Sequence, residues 1–259
     1  MGSTVTQRIA DITQPRGGYI PPKTLTMQKL SGGVTELPSS VENVHPGLVG
    51  TTVDSLTRFA SGSPADEAFR ISLLGASHPQ LAETANARRL IRGMKGLDDA
   101  SVTYATQLCG YDTAYRAGIS RYVPVSYIRP DRGTVSNIRA MVERALSFLD
   151  EFGPKTADGF TFEGGYTDTV SNGDGDFLTL DTLWDFKVSK NPPTKDHTLQ
   201  ILMYWRMGLR SVHPEFRSIR YLGIFNPRLN TMYTIAVDDI PQAVIDEVDS
   251  VVIGYNKLR

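Results

Sequence analysis

A single cysteine, Cys109, in a chain of 259 residues excludes an internal disulfide, and with it the four thiolates of an iron–sulfur cluster. A lone thiol of this kind reads as a small buried hydrophobe rather than a nucleophile, because cysteine is among the residues most often buried. Histidine is also scarce: His45, His78, His197 and His213 lie far apart and offer no zinc-type spacing. No run of about 18 apolar residues occurs, and the opening MGSTVTQRIADITQPRGGYIPP lacks the apolar stretch of a secretory signal. These absences predict a soluble, cytoplasmic protein with no membrane role. The formal net charge is only −1, so bulk charge advertises no polyanionic partner, and any nucleic-acid contact must use a local patch.

What is present suits a folded protein. Hydrophobic residues make up 40% and charged residues 21%, which argues against disorder. The length allows one buried core plus an extra subdomain, and no repeat or low-complexity tract breaks it up. Residues 1–46, rich in Gly, Pro, Ser and Thr, predict an extended arm with little regular structure. From Pro46 the spacing of Leu48, Val53, Leu56 and Phe59 predicts a helix. Further helices are expected at about 64–75, 78–94, 97–117 and 135–152, the last stopped by Gly153-Pro154. Strand signals then take over. GFTFEGGYTDTV predicts two short strands about a Gly-Gly turn, and GDFLTLDTLWDFKVS predicts a hairpin turning at Asp181-Thr182. A helix of about 17 residues from Lys195, a hairpin turning at residues 226–230, and a final helix from Pro241 complete the chain. Strands and helices in this order make a mixed sheet with helices packed on it.

The chemistry gathers on the first of these hairpins. Along a strand side chains alternate, so Asp185 and Lys187 share one face while Trp184, Phe186 and Val188 point the other way, toward the expected core. The tight turn brings Asp176 of the partner strand to the same end of the sheet. Two carboxylates and a backbone carbonyl, that of Phe186, form an oxygen-rich pocket suited to a hard cation such as Mg²⁺. A neighbouring lysine can stabilise developing charge, which is what phosphodiester hydrolysis requires alongside a metal-activated water. Gln200 and Tyr204 lie four apart and so share a face of the following helix. A calcium loop is excluded at the same place. Asn172, Asp174 and Asp176 have its opening spacing, but Phe177 and Leu183 stand where Gly and Glu are needed. From Thr182 to Asn230 there are eight Lys and Arg against three Asp and Glu, a local excess of +5. Two further basic clusters, Arg88, Arg89, Arg92 and Lys95, and Arg129, Arg132 and Arg139, offer phosphate contacts.

In this order Gly175-Asp176, Asp185-Phe186-Lys187 and Gln200 to Tyr204 resemble the PD-(D/E)XK nuclease superfamily in its RecB-like and lambda-exonuclease-like branch. The resemblance covers about residues 158 to 237. It implies an α/β, restriction-endonuclease-like mixed sheet flanked by helices, spanning 47–259 with a helical insertion at about 64–152. It implies Asp176 and Asp185 as metal ligands for Mg²⁺ or Mn²⁺, Lys187 as the catalytic lysine, and Gln200 and Tyr204 in support. A third acidic ligand is Asp54 or Glu163. The function so implied is metal-dependent hydrolysis of DNA, in processing, recombination or defence against mobile elements, with protein partners in such a system. The alternative is a catalytically inactive nucleic-acid- or protein-binding module on the same fold.

Overall fold

The computed structural model describes residues 2–30 and 36–255. Its elements, in chain order, begin with β1 (Ser3–Thr4), α1 (Val5–Asp11), β2 (Thr26–Lys29), α2 (Pro46–Ala60), α3 (Ala65–Ala68), α4 (Arg70–Ala76), α5 (Thr84–Gly93), α6 (Asp99–Cys109), α7 (Asp112–Arg116) and α8 (Arg132–Phe152). They continue with β3 (Ala157–Asp158), β4 (Val170–Asn172), β5 (Phe177–Leu178), β6 (Thr182–Phe186), α9 (Lys195–Gly208), β7 (Tyr221–Asn226), β8 (Thr231–Ala236) and α10 (Gln242–Glu247), which runs into a π-helical turn at Val248–Ile253. The chain divides into two compact units. The first draws on 1–33, 149–187 and 191–259, and the second on 34–148 with 188–190. No helix among the described residues is long and apolar enough to cross a membrane.

The first unit is an α/β layer built on a mixed six-stranded sheet of order β2-β8-β7-β6-β5-β3. β6 and β7 are parallel, joined through α9, and the remaining pairs are antiparallel. A parallel pair with a helical crossover is covered by that helix, and α9 lies on β6 and β7. Leu183 of β6 and Leu222 and Ile224 of β7 meet Leu199, Leu202 and Met203 of α9 in one core, which also takes in Val5, Ile9, Val248, Val252 and Ile253. The opposite face of the sheet carries an aromatic layer. Phe177 and Phe186 have ring centroids 4.6 Å apart, and Phe186 and Phe225 5.2 Å. Trp184 lies over Gly223 of β7, where a Cβ would sit 2.3 Å from the indole ring.

Strand β6 is therefore buried along its whole length, not on one face as its alternation predicts. The side that carries Asp185 faces the larger core, and Trp184 and Phe186 face the aromatic layer. The stretch 1–46 also departs from the extended arm expected of it. Thr4 and Gln7 form a reciprocal capping box that opens α1. Seven residues make no stable helix alone, and α1 is held by burying Val5 and Ile9, one turn apart, against α9. β2 extends the sheet as an edge strand on β8.

The segment 159–170 forms no Gly-Gly hairpin. β4 instead pairs in parallel with β1, while Thr161 bridges Asp174. The glycines serve a close approach: a Cβ on Gly165 would lie 2.1 Å from the Met207 carbonyl oxygen near the end of α9. The C-terminal helix is also shorter than expected, passing into its π turn after Glu247.

The second unit is helical, made of α2 to α7 and all but the last turn of α8. Its core includes Val49, Val53 and Leu56 of α2, Leu90 of α5, Val102 and Leu108 of α6, and Ile138, Met141 and Val142 of α8. The helices expected at 78–94 and 97–117 are each shorter or broken. The first starts at Thr84, and the second is interrupted at Gly110-Tyr111.

Because the contact at Gly165 is with backbone, no side-chain rotation relieves it. Gly165→Ala should cost about 1–3 kcal/mol, read as a lowered urea midpoint at constant slope. An unchanged midpoint would refute the close-approach account.

Candidate active site

The site forms where two strands part. Phe177 pairs with Trp184 and Leu178 with Leu183, and Thr179 N–H donates to the Thr182 carbonyl at 3.0 Å. Carrying that register one step further sets Asp176 opposite Asp185. The alternation makes this a pair without ladder bonds, the type in which facing side chains come closest. Beyond it the ladder opens. Gly175 N–H turns away to the Phe160 carbonyl at 2.9 Å. Phe186 N–H, deprived of a ladder partner on β5, donates to Asp176 Oδ2 at 2.7 Å. One carboxylate thus does the work of a strand at the split, and is fixed beside Asp185 by doing so.

Asp185 is 2% exposed, and an ionised carboxylate this deep needs a partner. Lys187 Nζ supplies it, at 2.9 Å from Oδ1 and 2.8 Å from Oδ2. Across the face, α9 presents Gln200 and Tyr204. Gln200 Nε2 donates to the Tyr204 hydroxyl at 2.7 Å, and the tyrosine ring lies 4.9 Å from that of Phe162. Burial, then the negative charges of Asp185, Asp174 and Asp176, push the Tyr204 phenol well above its ordinary range. It stays protonated, a neutral donor among carboxylates.

Asp176, Asp185, Lys187, Gln200 and Tyr204 are thus gathered in one neighbourhood of the first unit. The other two candidates are Glu163 and Asp54. Glu163 is exposed on a turn closed by Gly165 N–H to the Phe162 carbonyl. It is four residues past Gly159, whose N–H bonds the Asp176 carbonyl, roughly 13 Å of extended chain. Asp54 belongs to α2 of the second unit, where Arg58 one turn on grips both its oxygens at 3.2 and 2.8 Å. Asp174, in contrast, contributes its charge to the surroundings of Tyr204. Its signal was in the sequence: Asp174 and Asp176, two apart on an extended segment, share a face. Among the described residues, no three His, Cys, Asp or Glu side chains are grouped closely enough to hold a metal by themselves.

The local positive excess is partly committed to structure. Arg206 binds Asp249 through two bonds of 2.9 and 2.7 Å, Arg210 joins the same carboxylate at 2.9 Å, and Arg228 is buried. Lys187, by contrast, is half-buried beside the carboxylates. It also acts on His197, at the third position of α9. Burial first, then the Lys187 charge, push the His197 imidazole down to about 4. The neutral ring suits its local role, since Nδ1 accepts the Thr194 N–H at 3.2 Å in the capping box of α9.

No family model matches the chain, and neither curated proteins nor solved structures give a match.

A histidine depressed in the folded state takes up its proton more readily when unfolded. It therefore costs stability as pH falls from about 6.5 toward about 4, and costs nothing above that window. NMR titration should find His197 neutral through pH 5 in the wild type and raised in Lys187→Gln. A titration near 6.5 in both proteins would contradict the assigned proximity of Lys187.

Proposed function

We propose that this chain is a metal-dependent nuclease that hydrolyses DNA phosphodiester bonds on a restriction-endonuclease-like core of the PD-(D/E)XK type. The observation that carries the reading is the fork itself: the Asp176 carboxylate bound to Phe186 N–H beside the Asp185–Lys187 pair, with Gln200 and Tyr204 set against it.

The donor set fits Mg²⁺ or Mn²⁺. Mg²⁺ keeps several waters and takes only one or two protein carboxylates together with phosphate oxygens, and Asp176 and Asp185 supply two. When bound there, such an ion lowers the pKa of a coordinated water and neutralises charge on the phosphate. The chain's own residues provide the remainder. Lys187, anchored two residues from Asp185 on the same strand, places a positive charge where the phosphate oxygens gain negative charge. Tyr204, held protonated by burial and by the surrounding carboxylates, offers a donor and adds no further negative charge. Gln200 fixes the orientation of the Tyr204 hydroxyl. The same geometry without turnover would serve as a nucleic-acid-binding module, and the Lys187 ion pair that already neutralises Asp185 favours that second reading.

The test is degradation of linear and circular DNA by the full chain with Mg²⁺ or Mn²⁺. Asp185→Ala and Lys187→Ala should each reduce the rate by at least about a hundredfold, and a chelator should abolish it. Equal rates in all three proteins would sink the mechanism. Metal-independent DNA binding without cleavage would favour the binding module.

A further inference from the structure

The second unit holds a cavity of about 670 Å³ that the proposed chemistry does not use. It opens between the start of α2, the end of α6, α7 and the segment 121–129, and its volume falls within the range of small-molecule sites. Three arginines, Arg116, Arg121 and Arg129, line it against one acid, Asp112. That acid is already engaged: Ser72 Oγ donates to it at 2.5 Å, and Arg116 Nε lies 3.9 Å from its other oxygen. The walls between the arginines are apolar, with Leu48 and Ile128. At the rim, Val123 and Tyr127 are 56% and 74% exposed, large side chains left open by the described residues. The start of α2 adds little of its own, because His45 Nδ1 accepts the Gly47 N–H and the His45 carbonyl accepts the next two.

We propose that this cavity binds a nucleoside phosphate. The arginines take the phosphate, since planar guanidinium groups bind phosphate oxygens through paired, charge-assisted hydrogen bonds. The base lies on the apolar wall and against Tyr127, which gives a flat ring a stacking surface while its own hydroxyl stays wet. Neither the arginines nor the apolar wall alone defines this class. A bare anion would leave the wall and rim uncovered, and an uncharged hydrophobe would make no use of the charges of Arg121 and Arg129.

The test is calorimetric titration of the full chain with adenosine 5′-monophosphate, and separately with inorganic phosphate. Both arginines to be changed are exposed, so the double variant Arg121→Ala/Arg129→Ala should stay folded, as checked by circular dichroism. The expected result is that the nucleotide binds, that inorganic phosphate binds more weakly, and that the double variant loses about tenfold or more in affinity. No binding at millimolar nucleotide, equal affinity for inorganic phosphate, or an unaffected double variant would each overturn the proposal. Binding of a single-stranded oligonucleotide but not the mononucleotide would overturn it in favour of a strand-binding groove.

Discussion

The bond from Phe186 N–H to the Asp176 carboxylate is the interaction on which the rest of the site depends. Two antiparallel strands that pair at Phe177–Trp184 separate one residue later, and backbone N–H groups left at such a split must find another acceptor. Asp176 provides it. The ladder holds β5 to β6 as far as Phe177–Trp184, and this bond carries the contact one residue further, fixing the carboxylate beside Asp185. The same bond therefore ends a ladder, orients an acid and satisfies a donor. The parting of the strands also makes room for the Tyr204 hydroxyl to sit among acidic groups on a sheet that is otherwise covered on both faces.

Charge in the site is balanced locally. Asp185 is placed in a strand buried on both sides, an arrangement that would penalise an isolated carboxylate by several kcal/mol. Lys187, two residues along the same strand, removes the penalty at close range and still reaches toward solvent. Removing one partner of such a pair is far more costly than replacing both. Much of the wider positive excess serves architecture, as Arg206 of α9 and Arg210 just beyond it both bind Asp249 in the π-helical turn.

Elements with strong periodicity were legible in the sequence. α2 and α9, and the hairpin of β7 and β8 with its Asn226–Asn230 turn, follow from apolar spacing and turn residues. The alignment of Asp176 with Asp185 followed from the hairpin register. What was not legible has identifiable causes. The first 46 residues look like loop because Gly, Pro, Ser and Thr are frequent in them. α1 exists because α9 buries Val5 and Ile9, and β2, exposed at all four residues, exists because β8 offers a free edge. Neither depends on a pattern within its own segment. The alternation in TLWDFK suggests one wet face, yet the core under α9 buries one face and the aromatic layer the other. A lysine two residues from an aspartate is scored as two polar positions, although it is the device that lets the aspartate go inside. Asp174 was passed over because it was weighed only as part of a calcium loop.

The sheet of the first unit joins segments about 200 residues apart. Thr26 to Lys29 pair with Thr231 to Thr234, the Asn230 amide donates to the Leu30 carbonyl 200 positions away, and Arg8 donates to the carbonyls of Val251 and Val252. A ribosome making this chain releases β2 long before β8 exists. The early strand must wait, unpaired, while about 200 further residues are made, whereas the helical segment 34–148 meets most of its partners close by in sequence. Contacts this far apart slow folding through the entropy of closing the intervening chain. The sheet edge that β2 finally covers is thus among the last surfaces to be protected, and until then β8 is open to pairing with another chain.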